Sequence, residues 1–169
     1  MNKSDWKDIA ELLGIAAIFG SLVFVGMELR QSQQIAIAGQ YQQRAEAFVD
    51  QLYNRLAYSS EQERLAELVR TSYTDFVDPS LLESLSNEAI AVTWTRASAD
   101  GTMFDNNYFQ YQSGIMSEDG WQAMRGRLKG GLRTDPFFRA EMSLRASRYR
   151  ESFLDLCDQL LEEIELEKE

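Results

Sequence analysis

Residues 12–27 form an unbroken run of 16 uncharged side chains, and the apolar character extends from Ile9 to Leu29 with only Glu11 and Glu28 interrupting it. As a helix rising about 1.5 Å per residue, the uncharged run covers only ~24 Å of a hydrocarbon layer roughly 30 Å thick, and counting residues 9–29 closes the gap. Glu11 and Glu28 would then lie near the two interfaces, where a carboxylate reaches water. Trp6 and Lys7 supply the amphipathic ring and the snorkelling amine expected at a headgroup boundary. No other stretch is apolar enough to enter a membrane. A cleaved signal peptide fits poorly, because the run is long for one and Glu28-Leu29-Arg30-Gln31 lacks the small-x-small cleavage pattern. A core helix wrapped on all sides is the rival reading. The expectation is a membrane anchor over residues 1–30 and a helical soluble domain over 31–169.

Small residues punctuate the anchor. Ala16 with Gly20, and Ala17 with Ser21, are spaced by four, which puts them on one helical side where a second backbone can approach closely. Helix association in the bilayer and the ordinary frequency of alanine and glycine in membrane helices both account for this stripe. Glu11, about a turn and a half beyond Trp6, reads as an interfacial, solvated carboxylate. Its alternative is a charged ring in an oligomeric pore.

The chain carries 17 basic and 27 acidic residues, a net charge of −10. That balance argues against nucleic-acid binding. The 140 residues after Leu29 suffice for one domain with a sizeable core. Histidine is absent, which removes the commonest general base, the usual metal ligand and every Ser-His or Cys-His nucleophile. A single cysteine, Cys157, lies among Phe153, Leu154, Leu156, Leu160 and Leu161 and reads as a buried thiol. Gly126, Gly130 and Gly131 fit no phosphate-loop spacing. No catalytic residue, cofactor or metal site is therefore expected, and the chain reads as non-enzymatic.

Periodicity is helical nearly throughout. Ile37, Tyr41, Ala45, Phe48, Leu52 and Leu56 form one stripe over residues 31–58, with Gly39 as a place to bend. Ser60 with Glu63 reads as a capping box for a helix over 61–71, residues 75–80 as a loop around Asp78-Pro79, and Ser86 or Asn87 as the cap of a long helix ended by Gly114. Ser117 caps a segment bearing Trp121, Met124 and Leu128 that the Gly130-Gly131 pair stops. Asp135-Pro136 opens another helix, and a last one covers about 147–166. No segment alternates convincingly, so the fold class is all-α: one N-terminal transmembrane helix continuing into a bundle of four to six helices.

Two clusters invite a functional reading. Asp100, Asp105, Asn106 and Asn107 are oxygen-rich but lack the spacing of a calcium loop, and a solvated helix face is the plainer account. Residues 125–150 carry a net of +6 and residues 151–169 a net of −7. Arg125, Arg127, Lys129 and Arg133 form a basic contact surface for anionic lipid or a phosphate-bearing partner, or they pair with the acidic tail of the same or a neighbouring chain.

The segments Asp5-Trp6, Val25-Gly26-Met27-Glu28-Leu29-Arg30-Gln31-Ser32, Tyr108-Phe109-Gln110-Tyr111-Gln112-Ser113-Gly114, Trp121 and Asp135-Pro136-Phe137-Phe138-Arg139 give the chain a resemblance to a large group of uncharacterised small bacterial single-pass membrane proteins with a helical body. The resemblance implies a bacterial inner-membrane location and no particular activity. Many of those proteins are richer in arginine just after the anchor than this chain, where Arg30 and Arg44 follow. Lys3, Lys7 and the amino terminus favour a cytoplasmic N-terminus, whereas the resemblance and the basic segment favour a cytoplasmic body. The leading expectation is an interaction protein that contacts membrane lipid and either self-associates as a homo-oligomer or serves as an accessory subunit of a membrane complex. The alternatives are a body in which Trp94, Tyr108, Phe109, Tyr111 and Trp121 line a pocket for an apolar or lipid ligand, and the pore described above.

Overall fold

A computed structural model describes the backbone of residues 3–167 and, apart from residues 3–5 and 7–10, their side chains. Among these residues the chain is all-helical, without a strand. Seven α-helices follow one another: α1 (Lys3–Arg55), α2 (Ser59–Ser72), α3 (Pro79–Ser84), α4 (Asn87–Gln112), α5 (Glu118–Thr134), α6 (Pro136–Leu144) and α7 (Glu151–Leu166), with one 3₁₀ turn (Ala146–Arg148) ahead of α7. The chain divides into two compact units, Met1–Gly39 and Gln40–Glu169.

In the first unit every side chain from Glu11 to Leu29 is exposed, including Leu12, Phe19, Leu22 and Phe24. This is the one described helix long and apolar enough to cross a membrane. Its apolar side chains are covered by nothing in their own unit, so the segment is not a core helix within it.

The second unit is built around α4, which packs against α2 on one side and α6 on another, while α5 and α7 pair with each other. Ile90, Trp94 and Ala97 of α4 meet Leu65, Val69 and Tyr73 from the α2 region and Phe137, Phe138 and Ala140 from α6 in a single buried cluster. Phe153, Leu156, Leu160 and Ile164 bury the inner face of α7, as the spacing predicts. Caps mark the boundaries. Ser86 Oγ accepts from Ala89 N–H at 3.1 Å, Ser117 Oγ from Gly120 N–H at 3.2 Å, and Asp135 Oδ1 from Phe137 and Phe138 N–H at 3.0 and 3.2 Å. Each supplies an acceptor to amides that have no partner inside the helix. Gly114, at φ +72°, occupies the left-handed position that closes α4 while Ile115 and Met116 donate back to the Gln110 carbonyl.

Four local expectations are corrected. Ser60 and Glu63 form no capping box: α2 begins at Ser59 without a side-chain cap, and the Gln62 amide instead donates to the Leu56 carbonyl at 2.7 Å. The 75–80 loop holds over residues 75–78 but ends early, at α3, because Asp78 Oδ1 caps Ser80 N–H at 2.8 Å with Pro79 at the first helical position. Gly130 and Gly131 do not stop α5, which runs to Thr134. Two glycines cost roughly 1 kcal/mol each in a helix interior, but Leu128 and Leu132 on either side are fully buried and Gly131 lets the Phe138 ring approach. The last helix starts at Glu151, after the 3₁₀ turn.

Candidate functional site

Glu141 lies on α6, three and four residues after Phe138 and Phe137, so the helical period that buries those rings carries its carboxyl into the core with them. It is 0 % exposed. An isolated buried carboxyl is costly, and the fold surrounds it with donors. Tyr73 Oη donates to Oε2 at 2.6 Å, while Arg148 Nη1 and Tyr149 Oη donate to Oε1 at 3.0 and 3.3 Å. The Tyr73 oxygen in turn accepts from Trp94 Nε1 at 2.9 Å. Burial, and then the neighbouring Glu141, push both tyrosine hydroxyls far above the ordinary phenol range, so they act as neutral donors. Gly101 makes room for this network: a Cβ there would come within 2.5 Å of the Met142 methyl and 2.7 Å of the Tyr149 hydroxyl.

Arg148 links this core to an open cleft. Its guanidinium packs over the Trp94 ring, 5.6 Å from the centroid, and lines a cavity of about 360 Å³. Tyr41, Ala45 and Phe48, successive positions of one face of α1, form the apolar wall. Thr102, Asp105 and Asn106 of α4 face them, and Arg44 and Arg150 complete the lining. Arg150 is held by Nε donating to Asp105 Oδ1 at 3.0 Å, by Nη2 donating to the Asp105 carbonyl, and by the Phe109 ring 4.6 Å below. Burial outweighs this arginine and leaves the Asp105 carboxyl above its ordinary range. Gln42 stitches α1 to α4: its Oε1 accepts from Asn106 Nδ2 and from Gln110 Nε2 at 2.9 Å, and its own Nε2 donates to Glu46 at 2.6 Å. Asn106 Oδ1 and Arg150 Nη1 are buried without a partner.

The residues singled out in the sequence fall as follows. Trp6, Glu11, Ala16, Ala17, Gly20 and Ser21 are all exposed on α1, and Ser21 Oγ donates to the Ala17 carbonyl at 2.8 Å; the Lys7 side chain lies outside the described residues. The oxygen-rich cluster does not form a solvated face: Asp105 and Asn106 line the arginine-flanked cleft, while Asp100 and Asn107 line a second cavity of about 390 Å³. No three metal-ligating side chains converge among the described residues. Of the basic set, Arg125, Lys129 and Arg133 pair along α7, with Glu163 taking Arg125 and Lys129 (2.7 Å) and Glu167 taking Lys129 (2.7 Å) and Arg133. Arg127, exposed, lines the second cavity.

The aromatic set packs on itself. Tyr108 and Tyr111 lie 5.1 and 5.2 Å from Trp121, Phe109 lies 4.4 Å from Tyr41, and none of Trp94, Tyr108, Phe109, Tyr111 or Trp121 lines the two cavities described above. Glu141, Tyr73 and Arg148 were not singled out from the sequence. The one signal for Glu141 is its helical phase with Phe137 and Phe138 inside a basic segment.

Comparison with protein-family models, with curated proteins and with solved structures finds no match to this chain.

Proposed function

We propose that this chain is a non-enzymatic, membrane-anchored interaction protein of the bacterial inner membrane, spanning the bilayer once and presenting a helical domain to the cytoplasm. One observation carries the reading: the apolar side chains of residues 12–27 are exposed throughout, with Leu12, Phe19, Val23 and Met27 each more than 60 % accessible. Leaving so much apolar surface in water is unfavourable at roughly 25 cal/mol per Å². A contiguous patch of this size marks a membrane or protein contact. Lipid covers it without requiring any specific partner.

Self-association, or docking on a larger membrane complex, is supported by the small residues. Ala17 and Ser21 are exposed one turn apart on α1, beside the exposed Ile18, Leu22 and Val25. Small residues spaced in this way let a second helix approach closely. The group of small bacterial membrane proteins that the sequence resembles fits the same architecture.

Fractionation of cells expressing the full chain tests the anchor. After a carbonate wash the protein is expected in the membrane pellet, and its recovery in the soluble fraction overturns the reading. Cross-linking and native mass spectrometry in detergent test the association. A strictly monomeric species with no copurifying partner removes that half of the proposal and leaves the anchor standing.

A further inference from the structure

We infer that the cavity between α4, α5 and the start of α6 is a binding site for a small zwitterion carrying an apolar group, the chemistry of a free apolar amino acid. The inference concerns the helical unit alone and stands apart from the membrane reading.

Two opposite charges flank this cavity of about 390 Å³ without meeting. Asp100 comes from α4 and Arg127 from α5. Both side chains open to solvent, so a guest can reach them. Among the described residues neither side chain has a hydrogen-bond or ion-pair partner, and they do not pair with each other. Arg96, one turn before Asp100, attracts its carboxylate, but the Arg96 guanidinium is bonded to Asp135 Oδ2 at 2.7 Å. Asp135 is itself spent, since its Oδ1 caps α6. Desolvation holds the Asp100 carboxyl above its ordinary range despite Arg96, as befits a carboxylate short of a counter-charge.

The charges around the cavity, Asp100 and Asp135 against Arg96 and Arg127, cancel, so the cavity favours no ion of one sign. A simple cation on Asp100 would leave Arg127 unanswered, and a simple anion on Arg127 would leave Asp100 so. No third metal-ligating side chain joins the two aspartates among the described residues, which disfavours a metal ion. A guest with both charges answers both groups: its ammonium on Asp100, its carboxylate on the planar guanidinium of Arg127. Asn107, on the same wall, adds an amide that both donates and accepts.

The floor is apolar. Met103, Met124 and Phe138 line it, and Phe138 is held edge-on to Phe104 at 5.9 Å. Thioether side chains adapt to the shape of what they cover. The volume falls in the range of small-molecule sites and accepts a side chain of the size of leucine, methionine or phenylalanine.

Isothermal titration of the full chain in a neutral detergent with L-leucine, L-methionine and L-phenylalanine tests this, beside glycine and the N-acetyl and amide derivatives of the tightest binder. Saturable single-site binding of at least one of the three is expected. Glycine, which lacks the apolar group, should bind at least about tenfold more weakly. Each derivative, having lost one of the two charges, should weaken by roughly the same factor. Asp100→Asn should weaken the amino acid about tenfold and leave the N-acetyl derivative, which has no ammonium, unchanged. Arg127→Gln should do the same with the amide derivative as its unaffected ligand. Both positions open to solvent, so the circular dichroism spectra should match that of wild type. No saturable binding by any of the three, glycine binding as tightly, or a folded variant that weakens the amino acid and its derivative alike would each overturn the inference.

Discussion

Tyr73 and Glu141 stand 68 positions apart in the chain and share a 2.6 Å hydrogen bond in the interior. The same hydroxyl accepts from Trp94, so one oxygen ties the end of α2 to α4 and to α6. Tyr73→Phe removes an acceptor and a donor together, leaving the indole N–H and a carboxyl oxygen of Glu141 short of partners. The expected loss is about 1–3 kcal/mol of unfolding free energy, read by urea denaturation of the full chain in detergent with tryptophan fluorescence. Because the two residues touch, the loss in a Glu141→Gln background should be smaller than in wild type. Equal losses in both backgrounds would show that the pair is not energetically coupled.

Gly101 and Gly126 make a matched pair. Both sit inside helices, where alanine gains up to about 1 kcal/mol in propensity. A Cβ at Gly126 meets nothing within 4 Å, so Gly126→Ala should stabilise the protein by about 0.5–1 kcal/mol. At Gly101 the added methyl collides with Met142 and the Tyr149 hydroxyl, and the methionine can move more easily than the tyrosine bound to Glu141. Gly101→Ala should therefore destabilise by about 1–3 kcal/mol despite its propensity gain. Opposite signs of the two midpoint shifts are the check.

The all-helical fold was legible because Ser86, Ser117, Asp135-Pro136 and Gly114 are local signals whose physics is complete within a few residues. Gly130-Gly131 misled because burial of Leu128 and Leu132 is a tertiary contribution that overrides propensity. The arginine-flanked cleft was not legible. Its lining comes from Tyr41, Asn106 and Arg150, which only the packing of α1 on α4 brings together. In the basic stretch, the pairing of Arg125, Lys129 and Arg133 with Glu163 and Glu167 follows the charge pattern of the sequence, whereas Glu141 looked like one more acidic residue there and is instead its buried centre.

Stability should depend on pH through that ladder between α5 and α7. Hydrogen bonding from Lys129 is the chief cause holding the Glu163 and Glu167 carboxyls below their ordinary value of 4.5. A carboxyl depressed in the folded state stabilises fully above its unfolded value, and the contribution fades as pH falls through the native one. Lys129, raised above 10.5 chiefly by Glu163, stabilises below that value and stops doing so as pH rises through its native one. The ladder's own contribution should thus hold level between these limits. The Glu163→Gln/Glu167→Gln variant should lie below wild type on the plateau and converge on it in acid, with the gap narrowing in high salt as exposed pairs are screened. A gap that persists unchanged below pH 4.5 would contradict the ladder's role.

Cys157 is buried on α7, and burial pushes its thiol up to about 12. The thiolate is the reactive form. A maleimide or aromatic disulfide reagent at neutral pH should leave the folded protein unlabelled over hours and label it within minutes once urea unfolds it. Rapid labelling without denaturant would place the thiol at the surface.

Phe19 sits near the middle of the apolar run, 65 % exposed on α1. If residues 12–27 cross a bilayer, Phe19→Arg adds an insertion cost of roughly 2.5–3.5 kcal/mol, enough to shift the population strongly toward the uninserted form. Moving the same charge outward to Glu28 by Glu28→Arg should cost far less, because a side chain at the interface reaches water. Carbonate-resistant membrane association should therefore fall sharply for Phe19→Arg and stay near wild type for Glu28→Arg. Equal behaviour of the two variants would mean that position along the helix does not matter, which a spanning segment does not allow.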